Sequence, residues 1–453
     1  MELVARDLAL LSLKRQASYA LEVNGIRRLQ GRQMKEKSGT MMKYTPKLLI
    51  AVALVAAVIG VTWRQTSPLV PNVTSAAEVA IPASYFAMTM NSPLTTPWPT
   101  IPFKSLRTWD TGVGWADINI SKGVYDWSKL DSIINLAQSR GVELVFTLGR
   151  TPQWASSKPT ASGPYGPGQC APPSSLEDWG DFVRAIVTRA AGRIRYWELW
   201  NEPQDPQFFC GDIAAMVALQ QHAHTIIKSI DPSLMVLTPS PVNALGPQWM
   251  SSFLKAGGGQ YADIMAFHGY WDTSAESILR VIESFKRVFI ANGQASKPMW
   301  DTEGGWGQTS QLSNPDLQAA FLAKSYLLRW SRGVSRFYWY SYDNDQWGTL
   351  WSRTKGLNRA GIAYKEITRW MTGATMSVPC AEASSPNGSI WTCGFSRAGY
   401  EAMAVWKSNG TATFEIPRQF TQLRDLNGET KRIVDVHILV ENEPVLLETG
   451  SAF

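Results

Sequence analysis

From about residue 81 to 372 the chain repeats one pattern: a short apolar run rich in β-formers, a polar or Gly/Pro-containing loop, then an amphipathic stretch with helical period. The apolar runs fall at 84–90, 105–109, 143–148, 195–201, 235–238, 263–268, 298–302 and 336–341. Helical segments between them include 128–140, closed by Gly141, 175–191, closed by Gly192, 212–230, ending before Asp231-Pro232, and 315–332, ending at Gly333. Strands alternating with helices build a parallel sheet with helices outside it. Eight such runs in roughly 290 residues predict an α/β fold, a (β/α)8 TIM barrel.

Beyond Gly373 the period shortens to two, as in Tyr400-Glu-Ala-Met-Ala-Val-Trp406 and Val436-His-Ile-Leu-Val440, with hairpin-forming Asn-Gly pairs at Asn387, Asn409 and Asn427. Residues 373–453 are therefore expected to form a small β-sandwich whose apolar face packs on the barrel. Ahead of the barrel, 64–80 reads as a Pro/Ser/Thr-rich linker, and 47–63 as an apolar segment that opens on Lys47, lies behind Lys43 and is otherwise uncharged. That segment is an export signal or a single membrane anchor; its uncharged run, 48–63, is slightly shorter than the ~20 residues of a full span. Residues 1–46 form a basic tail. Met41 or Met42 is a more usual start for such a signal, so start-codon choice and a genuine cytoplasmic tail both stay open as sources of the tail.

Charge changes little in this picture. The 453 residues carry a formal net charge of +6, but 1–47 hold ten Lys/Arg against four Asp/Glu, which accounts for the whole excess. The remainder is neutral overall, and a nucleic-acid partner, which needs clustered base on a folded surface, is excluded. Four cysteines without Cys-x-x-Cys spacing read as disulfides. Of the three pairings, Cys170 with Cys210 and Cys380 with Cys393 is favoured because each staples one domain, and it calls for an oxidising compartment. Twenty Trp are unusually many. Core packing explains most, and flat indole faces that stack on sugar rings explain others.

In a TIM barrel the reactive groups project from the carboxy-terminal ends of strands. Two carboxyls sit there: Glu202 in Arg195-Tyr-Trp-Glu-Leu-Trp-Asn-Glu-Pro203, and Glu303 in Lys297-Pro-Met-Trp-Asp-Thr-Glu-Gly-Gly-Trp306. Cleaving a glycosidic bond with retention needs such a pair about 5–5.5 Å apart. Glu198 and Asp301 precede the pair by four and two residues, so strand alternation puts each on the same face, inside the barrel below the pocket, in supporting roles. Asp110 suits either sugar hydroxyls or a loop cap; Asp117 and Asp126 lie in the same region. His222 and His224 sit on different faces of a helix and suggest no metal. No phosphate loop is present, and neither a metal nor a cofactor is expected.

Trp200-Asn201-Glu202-Pro203 with Thr302-Glu303, about 100 residues on, strongly resembles the clan A glycoside hydrolases, and most of all family thirty-nine. That family includes β-xylosidases, α-iduronidases and bacterial exopolysaccharide hydrolases; the resemblance spans roughly 83–450. It implies Glu202 as acid/base, Glu303 as nucleophile, Arg107 orienting and ionising Glu303, and Asn201 on the sugar 2-hydroxyl. It further implies His268 and Tyr270 lining the site, and Trp339 as a stacking platform. Of the loop aromatics Trp154, Tyr165, Trp306, Trp347 and Trp351, some are expected to form subsites. The expected activity is a retaining glycosidase acting on an oligo- or polysaccharide. A non-catalytic carbohydrate-binding barrel and a transglycosylase using the same residues are the alternatives.

Overall fold

The computed structural model describes residues 79–383 and 389–450. The tail, the apolar segment 47–63, nearly all of the linker 64–80 and the Asn387-Gly388 turn lie outside the described residues.

Eight parallel strands form the inner layer: β1 Phe86–Thr89, β2 Ser105–Arg107, β3 Glu143–Leu148, β4 Tyr196–Leu199, β5 Met235–Leu237, β6 Met265–Gly269, β7 Met299–Gly304 and β8 Val334–Trp339. Their order is β5-β4-β3-β2-β1-β8-β7-β6, and a parallel bridge from Leu237 to Ile264 closes the ring between β5 and β6. Each strand lies within a few residues of its apolar run. Helices α1 Ser128–Ser139, α2 Leu176–Ala190, α3 Ile213–Ile230, α4 Gly246–Lys255, α5 Ile278–Ala291, α6 Pro315–Ser331 and α7 Arg359–Met371 follow β2 to β8 in turn. Side-chain caps set several starts: Ser175 accepts from Glu177 N, Asp212 from Ala215 N and Asn314 from Leu317 N.

Alternation along the strands makes two cores. Inward-facing Ala87, Val145, Tyr196, Leu237, Ala266, Trp300 and Tyr338 plug the barrel, while Leu106, Phe146, Trp197 and Phe267 pack outward under the helices. The plug is a floor, and the polar groups of the site stand on it.

Past α7 come β9 Thr375–Ala383, β10 Ile390–Arg397, β11 Tyr400–Lys407, β12 Ala412–Glu415, β13 Gln422–Arg424, β14 Thr430–Arg432, β15 His437–Val440 and β16 Val445–Glu448. Six form one antiparallel sheet, β9-β10-β11-β16-β13-β14, faced by the two-stranded sheet β12-β15. The large sheet is covered on both faces. Ile390, Val405 and Leu447 meet Ile416, Phe420 and Val440 inside the sandwich, whereas Trp391, Phe395, Ala404 and Trp406 share the barrel core with Trp370 and Met371.

A buried polar cluster ties this sheet to the loop after β6. Glu276 Oε1 accepts from Trp406 Nε1 at 2.8 Å and Ser408 Oγ at 3.0 Å, and lies 3.2 Å from Lys324 Nζ. Cutting the chain after Gly373 would strip Trp370 and Met371 of their cover and take the Trp406 and Ser408 donors from Glu276 and the Asn442 acceptor from Lys324. The truncated protein is expected to aggregate. A Trp406→Ala variant should lose about 3–5 kcal/mol in denaturant titration, and unchanged stability would mean that the sheet is an independent module.

Candidate active site

Arg107 ends β2 and is fully buried, and its fork organises the floor of the site. Its Nε donates to Glu198 Oε2 at 2.6 Å, its Nη1 to Glu303 Oε2 at 2.9 Å and its Nη2 to Asn201 Oδ1 at 2.8 Å. Thr147 Oγ1 gives Glu198 Oε2 a second bond at 2.7 Å. Burial works against the guanidinium charge, but Glu198 and Glu303 outweigh it and hold Arg107 above its ordinary value.

Glu202 stands beyond the end of β4, where Trp200 and Glu202 both adopt left-handed backbone, φ 54° and 44°. Non-glycine residues keep such a conformation only where surroundings enforce it. Here Trp200 N donates to Leu148 O, its indole donates to Phe208 O, and Glu202 N donates to Ser240 O. His268, on β6, places Nδ1 2.9 Å from Glu202 Oε1 and 3.9 Å from Glu303 Oε2. Burial, then Arg107, pushes His268 well below the usual imidazole range, so the ring is neutral. Tyr270 donates to Glu303 Oε1 at 3.2 Å. One carboxylate oxygen from each of Glu202 and Glu303 and one nitrogen of His268 lie within 4.8 Å of one another.

Glu303 reaches this cluster through a bulge. Between β6 and β7, Phe267 pairs with Asp301 but His268 with Glu303, and between β7 and β8, Phe337 pairs with Asp301 but Trp339 with Gly304. Thr302 is the extra residue, and it shifts Glu303 to the opposite face from Asp301. The expectation that Asp301 shares the face of Glu303 is thus corrected. Asp301 turns to the helix layer, where Oδ2 accepts from Arg329 Nε of α6 at 2.6 Å and Oδ1 from Gly269 N at 2.9 Å. Burial, opposed by Arg329, pushes its carboxyl up to about 6. A Cβ at position 269 would run into Asp301 Oδ2, which explains the glycine there.

The other predicted residues divide. Asp110 joins the site: Oδ1 accepts from Tyr165 OH at 2.7 Å and Oδ2 from Tyr340 OH at 2.8 Å. Trp339 and Trp306, expected as stacking or subsite residues, are enclosed. Their rings pack on each other with centroids 5.0 Å apart, and Trp339 Nε1 donates to Gly348 O. An indole with no open face cannot stack on a sugar, so both belong to the core. Trp154 packs edge-on to Trp115, donates to Asn119 O, and lines a shallow hollow with Ile120, Pro152 and Gln169. Tyr340, just past β8, escaped sequence reading because a strand-end tyrosine in an aromatic-rich stretch looks like packing. Trp271, exposed beside Tyr270, was equally silent.

Burial and the nearby Glu202 carboxylate push the Glu303 carboxyl well above its ordinary range, against the pull of Arg107. Arg107 alone, expected to keep Glu303 ionised, is therefore outweighed. Two buried carboxylates this close resist double ionisation and titrate as a pair. An unfolded Glu303 titrates near 4.5 and the folded one higher, so stability is fully present below about pH 4.5 and is lost as the pH rises through the folded value. Glu303→Gln abolishes that loss. It should melt a few degrees above the wild type at neutral pH, with the gain shrinking toward pH ~4. Melting curves across this range check it; a variant that melts lower at every pH would show that the Arg107 ion pair dominates.

The Glu202–His268–Glu303 set has the donor types for a cation, but Arg107 already supplies positive charge 2.9 Å from Glu303, so an added divalent ion would face a buried guanidinium. Among the described residues, His222 and His224 join no such set.

Residues 174–364 match the glycosyl hydrolase catalytic core family. The β-xylosidase of Caldicellulosiruptor saccharolyticus is 28% identical over 124 residues, 26% of this chain and 25% of that relative, so the match spans about a quarter of its length. A family 39 glycoside hydrolase from Bacteroides cellulosilyticus superposes with a TM-score of 0.60 at 19% identity, over 76% of this chain and 75% of that one. A family 39 β-xylosidase from Caulobacter crescentus gives 0.60 at 17% identity, over 82% and 97%. The fold is the one these family 39 glycoside hydrolases share.

Proposed function

We propose that this protein is a retaining glycoside hydrolase that cleaves an oligo- or polysaccharide, with Glu303 as nucleophile and Glu202 as general acid and base. The observation that carries the reading is the approach of the two carboxylates, within 4.8 Å between oxygens, from the carboxy-terminal ends of β4 and β7 across the mouth of the barrel. Such spacing suits direct attack on the anomeric carbon; an inverting pair stands about 6.5–9.5 Å apart to admit a water.

The hydrogen bonds support the division of roles. Both oxygens of Glu303 accept from donors, Arg107 Nη1 and Tyr270 OH, which favours its anion as the attacking group. Glu202 faces a neutral imidazole, and in this reading the one proton that the pair shares is delivered from Glu202 to the departing oxygen. After the glycosyl-enzyme forms, the ionised Glu202 takes a proton from water, which attacks the anomeric carbon and restores Glu303. Asn201, held by Arg107, is suited to bond the sugar 2-hydroxyl, a contact that strengthens as positive charge builds on the ring.

The two disulfides are compatible with an exported protein. The apolar segment 47–63 would take the chain there as a cleaved signal or as an anchor. Proton NMR of the first-formed sugar from a reporter glycoside tests the mechanism. The product should carry the anomeric configuration of the substrate, and an inverted product would refute the role of Glu303.

A further inference from the structure

We propose that the glycon pocket selects neutral sugars and turns away uronic acids, and that Asp110 sets this choice. The inference rests on the glycosidase reading above and narrows its substrate class.

Asp110 lies in the turn Trp109–Thr111 just past β2 and is half-buried. Phenols from two other loops hold it: Tyr165, from the segment after β3, donates to one oxygen, and Tyr340, after β8, to the other. Trp109 Nε1 fixes Tyr165 in turn, donating to its hydroxyl at 2.7 Å. Burial and the Asp110 charge push both phenols well above their ordinary range, so they remain neutral donors. A carboxylate anchored this way keeps a free lone pair on each oxygen, a set of acceptors suited to sugar hydroxyls. Its charge also reaches Glu303 and Arg107, which places it in the same electrostatic neighbourhood as the catalytic pair.

The two arginines of this region are already committed. Arg107 spends Nε, Nη1 and Nη2 on Glu198, Glu303 and Asn201. Arg150, after β3, pairs with Asp117 and lies against the rings of Tyr165 and Trp109, 4.9 and 5.7 Å from their centroids. His268 is neutral. A sugar carboxylate entering here would meet Asp110 and the ionised member of the Glu pair, with Arg107 bonded through all three of its nitrogens and Arg150 held by the charge of Asp117. One like charge about 6 Å away in a partly desolvated pocket is sufficient for roughly 100-fold discrimination.

The experiment compares matched nitrophenyl glycosides in the gluco, galacto and manno series, each beside its uronide, using the full chain. In parallel, calorimetry compares the corresponding iminosugars with their C5-carboxylated partners. In the configuration the enzyme accepts, the neutral glycoside should exceed its uronide by at least about 100-fold in kcat/KM, and the iminosugars should follow in Kd. Asp110→Asn should narrow that ratio by about tenfold or more; because it is a ratio, a general loss of activity leaves it unmoved. A uronide handled within tenfold of its neutral partner overturns the proposal, and an unchanged ratio in Asp110→Asn removes Asp110 from it. If the calorimetric preference for neutral ligands holds while no glycoside is cleaved, the hydrolytic reading fails and the charge selection stands.

Discussion

Replacing Glu303 by Ala is expected to lower kcat by about 10⁴-fold or more on every glycoside, whatever its leaving group, because the attacking group itself is gone. Glu202→Ala should behave differently. Its loss should be large, about 10²–10⁴-fold, on substrates whose oxygen needs a proton to depart, and much smaller in the first step for nitrophenyl or fluoride glycosides. Added azide separates the two further. In Glu202→Ala it should replace water at the glycosyl-enzyme and give a glycosyl azide of retained configuration. In Glu303→Ala it should attack from the vacated face and give the inverted azide. NMR of the products reads both. Swapped stereochemistry would exchange the two roles, and unimpaired activity in both variants would end the catalytic reading.

The second large effect is expected at Arg107, as much in stability as in rate. Arg107→Met leaves Glu198, fully buried, with Thr147 as its remaining bonded partner, leaves Glu303 with Tyr270 as its donor, and takes the Nη2 donor from Asn201. An uncompensated buried carboxylate costs about 3–5 kcal/mol. Glu198→Gln in the same chain relieves that cost, so the double variant should recover much of the stability but none of the activity. Denaturant titration of the two singles and the double gives the coupling directly. Equal stability of Arg107→Met and the wild type would show that Glu198 takes up a proton at no cost.

Much of this was legible in the chain. The period of the apolar runs located all eight barrel strands, because a strand buried on both faces must be apolar throughout. Asn201-Glu202-Pro203 and Thr302-Glu303 were legible because strand ends are where a barrel exposes carboxyls. What escaped depends on register and depth. Nothing in Asp301-Thr302-Glu303 announces that Thr302 is an inserted residue; strict alternation puts both acids on one face, and the bulge separates them. Trp306 and Trp339 read as well for a platform as for a core, since an indole serves both and burial is decided by neighbours such as Phe321 and Tyr326, distant from Trp306 and Trp339 in sequence. The titration of Glu303 was misjudged for a related reason, because sequence shows its ionic partner but not the depth at which the two are buried. The large C-terminal sheet, expected to present one apolar face, is covered on both.

The connectivity of the disulfides bears on how the chain matures. Cys170 bonds Cys210 and Cys380 bonds Cys393, so each cysteine joins the next one the chain presents. In the export proposed above, which runs from amino to carboxyl end, Cys210 would follow Cys170 long before Cys380 emerged. An oxidant that joins thiols in their order of arrival therefore makes the native set directly, and no mispaired bridge has to be reopened by thiol exchange. Biogenesis of this barrel should accordingly require a thiol oxidase and be indifferent to a disulfide isomerase.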